Sequence, residues 1–250
     1  MNKTSVNVPG NALGYFAEGA RLLNQPGFRR FIVAPLLVNL VIFVLASIAF
    51  VHSLTPWLNQ FMAWVPTWLH WLSWLLWPLA ALCFLIIYGY CFNLITNLLA
   101  APFLGLLAEK IESQLTGIEF ESESFTSLAV RTFKRELAKL WYFLSRGLLV
   151  LLVFLVLLLI PRVNILGLLL AALWSSWCLA VQYVDYAADN NRMEFRELRG
   201  RLSGLHTNSL SFGALALAGS MIPLVNVVIT PIAVAGATVF WIREVRGTQP

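Results

Sequence analysis

Residues 31–108 contain no Asp, Glu, Lys or Arg, a run of 78 uncharged positions, and residues 207–242 contain another 36. A hydrocarbon core is crossed by about 20 helical residues. A chain with these two runs is therefore expected to fold as an all-α, polytopic integral membrane protein. Composition agrees: the 250 residues are 59% hydrophobic and 12% charged, where soluble domains average about 25% charged. The expected organisation is a single membrane domain over residues 1–250. The first thirty residues hold no apolar core, so they are not expected to be a cleavable signal. Cys83, Cys91 and Cys178 lie inside apolar runs without CxxC spacing. They read as buried thiols rather than metal ligands or disulfide partners.

Four apolar blocks cover residues 31–54, 71–108, 147–184 and 208–242. The first two read as long transmembrane helices joined by a connection over 55–70. Six of the ten Trp fall within 57–77, and Trp prefers the headgroup interface. Sixteen of the 17 basic residues lie in 1–30, 109–146, 185–207 and 243–250, with Arg162 the exception. The positive-inside rule puts those segments and both termini in the cytoplasm and the Trp-rich connection outside. The third and fourth blocks are each interrupted, at Ile160-Pro161-Arg162-Val163-Asn164 and at Ile222-Pro223-Leu224-Val225-Asn226. Proline stops a helix and disfavours it at the preceding residue. We read both blocks as re-entrant helical hairpins, partly penetrating and broken at Pro161 and Pro223. Two complete short spans in each block are the competing reading. The shared I-P-x-V-N is a weak internal repeat. It fits either a transporter plan with broken helices or a duplicated loop.

The cytoplasmic parts read as helical. Residues 11–24 place Leu13, Phe16, Ala17, Ala20 and Leu23 on one side, which suits an interfacial helix. Residues 124–146 carry a basic stripe of Arg131, Lys134, Arg135 and Lys139. Headgroup anchoring is its expected role, with partner docking as the alternative. Asp185, Asp189, Arg192, Arg196 and Arg199 are expected to pair with one another along the connection between the hairpins.

The most informative local segment is Gln25-Pro26-Gly27-Phe28-Arg29-Arg30-Phe31. A helix that starts at its Pro-Gly step leaves the amides of Gly27 and Phe28 unpaired and adds roughly half a positive charge at that end. Two guanidinium groups follow at once. Free amides, a positive helix end and Arg29 with Arg30 make a site for a tetrahedral oxyanion. The plain alternative is that the Arg pair only sets topology. Asn93 and Asn97, with Tyr90, share a face of the second span and line a polar path or bond a neighbouring helix. Arg162, Asn164 and Asn226 lie at or beside the two breaks and complete the candidate pathway. Arg162 either marks a pathway or snorkels to headgroups. His52, His70 and His206 are isolated. No HExxH, P-loop or GxSxG motif is present, so neither enzymatic chemistry, a cofactor, nor direct ATP coupling is expected.

The chain resembles the CysZ-type sulfate permeases of bacterial inner membranes. The resemblance is carried by Gly19-Ala20-Arg21-Leu22-Leu23, Pro26-Gly27-Phe28-Arg29-Arg30-Phe31 and Pro35-Leu36-Leu37-Val38-Asn39. Ala101-Pro102-Phe103, Leu106-Leu107-Ala108-Glu109-Lys110, Ile222-Pro223-Leu224-Val225-Asn226 and Pro231-Ile232-Ala233-Val234-Ala235-Gly236-Ala237-Thr238 add to it. It implies a homo-oligomeric permease that takes up sulfate for cysteine biosynthesis, with two long spans and two pairs of partly penetrating helices. It also implies that Arg29 and Arg30, with Gly27 and Phe28 beside them, hold the sulfate. Expected partners are the sulfate anion and membrane lipid, without nucleic acid. A membrane scaffold and a transporter of another oxyanion such as thiosulfate are the alternatives.

Overall fold

The computed structural model describes residues 10–25, 27–28, 30–120, 123–160 and 162–247. Those residues are mostly helical and contain no strand. The helices are α1 (Ala12–Leu23), α2 (Arg30–Trp64), α3 (Ser73–Thr116), α4 (Phe125–Leu159), α5 (Asn164–Asn190), α6 (Phe195–Gly204), α7 (His206–Ser220) and α8 (Pro223–Phe240). A 3-10 turn, Thr67–Leu72, precedes α3, and a π-helical turn, Trp241–Val245, follows α8. Among the described residues three helices are long and apolar enough to cross a membrane: Thr126–Leu159, Asn164–Asn190 and Val228–Val245. A fourth results when the arms Leu40–Leu54 and Pro56–Trp64 are taken together across their 40° bend. Pro56 accounts for the bend, because it removes a backbone bond and clashes with the preceding turn.

Two compact units are present, Met1–Ile32 with Ala101–Pro250, and Val33–Ala100. In the smaller one, α2 and α3 run antiparallel along an aromatic seam. Phe43 meets Phe92, Phe50 meets Tyr88 and Trp57 meets Phe84, with centroids 4.6–5.7 Å apart. Ser47 Oγ and Tyr88 OH share a hydrogen bond of 2.8 Å. The expected connection over 55–70 is mostly helical, because α2 runs on to Trp64. All six Trp between 57 and 77 are exposed.

The larger unit holds the core. Two glycines on α1 and α8 let their backbones touch. A Cβ on Gly19 would lie 2.6 Å from both Gly236 N and Ile232 O, and one on Gly236 would lie 2.7 Å from Tyr15 O. Small residues at helix crossings are the usual device for such close approach. They also decide which face of α1 is buried: Tyr15, Phe16, Gly19, Leu22 and Leu23 pack inward. Leu13 and Ala17, expected on the apolar face, are exposed. α7 sits equally close on α5, where a Cβ on Gly213 would meet Ser176 O at 1.7 Å.

The helical boundary expected at 146/147 falls inside α4, which is continuous across it. The two interruptions begin alike. Ile160 and Ile222 are both extended, at φ −97, ψ 110 and φ −95, ψ 111, as a following proline requires. They end differently. Arg162 takes a left-handed φ of 75 and α5 restarts only at Asn164, whereas Pro223 is itself the first residue of α8. The sequence repeat is therefore not a repeat of backbone geometry. Pro161 lies outside the described residues.

Gly213→Ala should destabilise the protein by about 1–3 kcal/mol or more, since no flexible side chain can give way to the new methyl. Gly200→Ala is the control: nothing lies within 4 Å of the added Cβ in α6, and helix propensity alone favours Ala by up to about 1 kcal/mol. Thermal unfolding in detergent should fall for the first variant and hold or rise for the second.

Candidate functional site

After α1 the chain folds into a tight turn before α2. The amides of Asn24 and Gln25 bond back to Ala20 O (3.3 Å) and Leu22 O (3.0 Å), closing the helix. Gly27 then adopts φ +97, a left-handed conformation that glycine alone takes without cost. Phe28 N–H donates to Gln25 O at 3.4 Å, and its ring is buried, 1% exposed. Two residues of α3, one turn apart, clamp this turn. Lys110 Nζ donates to Gly27 O at 3.2 Å and stands 5.1 Å from the Phe28 ring centroid, within cation–π range. Gln114 Nε2 donates to Gln25 Oε1 at 2.8 Å.

This geometry revises the local argument. The left-handed Gly27 cannot belong to a right-handed helix, so α2 begins at Arg30 and not at the Pro-Gly step. The Phe28 amide is already used. The amides without an intrahelical partner are those of the first turn of α2, from Arg30 onward. Arg29 lies outside the described residues. The backbones of Arg30, Asn93, Asn97 and Asn226 are in α2, α3 and α8, and their side chains lie outside what is described. Arg162 and Asn164 are exposed where the chain turns between α4 and α5.

The sequence reading missed the clamp and two polar clusters that hold its surroundings. On the face of α3 opposite Lys110 and Gln114, Glu112 is fully buried. It accepts from Asn191 Nδ2 (2.8 Å), Trp241 Nε1 (3.2 Å) and Arg246 (3.1 Å), which ties α3 to the end of α5 and to the C-terminal turn. Tyr15 OH and Asn208 Nδ2 both donate to Glu244, which fastens α1 and α7 to that same turn.

The second cluster joins α4 to α5. Arg135 makes three bonds of 2.7–3.2 Å to Asp185. Lys139 lies 3.2 Å from Asp185 and 2.6 Å from Glu136, and the side chains of Lys139 and Asp185 are each 1% exposed. Arg131 pairs with Asp189 and, at 3.1 Å, with Glu123. The stripe expected to face headgroups thus turns inward, apart from Lys134, and the aspartates pair across helices and not along their own segment. Arg199 stacks over Tyr142 at 4.3 Å and Phe195 at 4.9 Å. The signal was in the spacing. Arg131 and Asp189 each lie 29 residues from Ile160, and Arg135 and Asp185 each lie 25. An antiparallel pair turning there brings opposite charges together.

The sequence model of a family described as "Sulfate transporter CysZ/Etoposide-induced protein 2.4" matches residues 15–231. That range takes in the turn, the α3 clamp, the ionic layer and both interruptions.

Burial pushes the Glu112 carboxyl above its ordinary range, opposed by the bonds from Asn191 and Trp241 and by Arg246. The folded state then holds this proton more tightly than the unfolded chain does. The contribution of the group to stability is fully present below the ordinary glutamate pKa and is lost as pH rises through its raised folded value. Glu112→Gln takes up no proton. The Tm of the variant should be flatter between pH 4 and pH 8 than that of the parent, and an identical slope would assign the pH dependence elsewhere.

Proposed function

The chain belongs to this sulfate transporter CysZ/etoposide-induced protein 2.4 family, and on that premise we propose that it is a sulfate permease of the bacterial inner membrane. It admits sulfate to the cytoplasm for cysteine biosynthesis, works without hydrolysing ATP, and acts as a homo-oligomer with both termini cytoplasmic. The observation that carries this reading is the braced turn at Gln25–Phe28. The turn is pinned by Lys110 and Gln114, and the sequence places Arg29 and Arg30 immediately after it, at the start of α2.

Sulfate carries two negative charges and loses water on entering a membrane protein. At about 4 Å and an effective dielectric near 20, each guanidinium offsets roughly 4 kcal/mol of that loss. The open amides and dipole of the first turn of α2 add to it. In this reading Arg29 and Arg30 hold the anion, Gly27 and Phe28 set the turn that presents them, and Lys110 fixes the turn while adding a third positive charge. A site built from these groups at a helix mouth binds without enclosing the ion, which conduction demands. Asn93, Asn97, Arg162, Asn164 and Asn226 are the candidate groups for the onward path. An ion pathway formed between subunits fits the small number of polar residues in the apolar blocks.

Radiolabelled sulfate uptake into proteoliposomes tests the reading. Wild-type protein should exceed empty vesicles, and Arg29→Ala/Arg30→Ala should lose at least about tenfold of that flux while remaining folded. Absence of flux from folded wild-type protein would overturn the permease. Unchanged flux in the double variant would return the Arg pair to a topology role. Thiosulfate in competition should displace sulfate only weakly if the site is selective. Lys110→Met should raise the half-saturating sulfate concentration severalfold with maximal flux nearly unchanged, and Lys110→Arg should restore it.

A further inference from the structure

α4 presents an unbroken apolar row to the outside. At alternating steps of four and three residues from Leu137, through Trp141 and Leu144, to Leu158, each side chain in the row is 45–75% exposed. At 1.5 Å per residue the row is roughly 32 Å long, about the thickness of a hydrocarbon core. On the same face, three residues before Leu137 and four after Val130, the row meets Lys134. Lys134 is exposed and has no carboxylate partner among the described residues. It is the one member of the basic stripe that the ionic layer leaves outside.

Beside Lys134 opens a surface pocket of about 630 Å³, lined by Glu123, Thr126, Ser127, Val130, Arg131 and Arg192 as well as Lys134 itself. Arg131 and Arg192 converge on one oxygen, Glu123 Oε2, at 3.1 and 3.3 Å. Arg131 is further committed to Asp189. The Arg192 side chain remains 60% exposed. Hydrogen bonds from Ser127 and Arg131 hold the Glu123 carboxyl below its ordinary range, so it stays an acceptor. Asp189 answers Arg131, and Glu123 is shared by Arg131 and Arg192, which leaves Lys134 without a carboxylate partner among the described residues and Arg192 largely in solvent.

We propose that this pocket binds the phosphate of an anionic phospholipid, with Lys134 and Arg192 on the headgroup and an acyl chain laid along the row from Leu137 toward Leu158. The continuity of pocket and row selects a lipid over a soluble oxyanion. A free phosphate or sulfate would use the cations and leave the row without an occupant. Basic pockets at the cytoplasmic end of membrane helices are suited to such headgroups, each basic residue contributing about 1 kcal/mol of attraction near a charged surface. The assignment is independent of the sulfate site. It concerns a separate group of residues and would stand if the chain carried another anion.

Native mass spectrometry of the purified full chain, titrated with phosphatidylglycerol and with phosphatidylcholine of the same acyl chains, tests it. Phosphatidylglycerol should bind several-fold more tightly. Lys134→Gln should weaken that preference about fivefold, Lys134→Gln/Arg192→Gln by more than tenfold, and Lys134→Arg should keep it. Lys134 is exposed and unpaired among the described residues, so the single variant carries the test if the double variant unfolds. Equal affinity for the two lipids, or a preference unchanged in Lys134→Gln, would overturn the proposal. Displacement of phosphatidylglycerol by millimolar inorganic phosphate or sulfate would make the pocket a soluble-anion site and also overturn it. A photo-reactive benzoylphenylalanine in place of Trp141 should cross-link to lipid in native membranes. Cross-linking to a second copy of the chain would make the row a subunit interface instead.

Discussion

The ion pairs between α4 and α5 are the constraint on which the larger unit rests. Lys139 and Asp185 are sealed from solvent, each 1% exposed, and a buried charge without its partner costs about 3–5 kcal/mol. Both are therefore saturated. Asp185 receives three bonds from Arg135 and lies against Lys139. Lys139 adds Glu136 and the face of Tyr186 at 4.5 Å. These contacts fix the register of α4 on α5 and the rotation of each helix. Once that rotation is set, the opposite side of α4 has to be apolar and outward, and its exposed row of Leu and Trp follows. This inverts the plan of a soluble amphipathic helix, in which charges face out and apolar residues face in.

Backbone proximity does in the rest of that unit what charge does between α4 and α5. α1 reaches α8 through Gly19 and Gly236, and α7 reaches α5 at Gly213. Lipid tails are as apolar as leucine, so apolar burial alone gives membrane helices little reason to associate. Close packing and hydrogen bonding supply it. Glu112 and Glu244 complete the frame by collecting donors from two elements each, and they fasten α1, α3, α5 and α7 to the C-terminal turn. The turn at Gln25–Phe28 is braced against the same stretch of α3, from the face opposite Glu112.

How much was legible can be traced residue by residue. The all-helical membrane class follows from the uncharged runs, because a bilayer admits few alternatives for such stretches. The break at Ile160-Pro161 and the helix start at Pro223 follow from proline, whose geometry is local. The candidate segment is legible from residue types, since Pro-Gly before two Arg is a local signal. Its details are not. Pro-Gly is a turn signal that favours a positive φ at the glycine, but the same proline also suits the first position of a helix, and only φ +97 at Gly27 sets the start of α2 at Arg30. Lys110 was counted only as a topology charge, because its contact with Gly27 spans 83 residues of sequence.

The sequence by itself determined the environment, the helix-forming segments and the positions of the breaks. Each of these is decided by hydropathy, charge density or proline stereochemistry within a short window. Only the tertiary structure decided which way each polar group faces. Arg131, Arg135 and Lys139 have the same composition as a headgroup anchor, and they turn inward because Asp185 and Asp189 come opposite them when α4 and α5 pair. Lys134, one residue from Arg135, stays outside for want of such a partner. The difference between a buried ion pair and an exposed cation is set by helix rotation, and rotation is fixed by contacts between residues far apart in the chain.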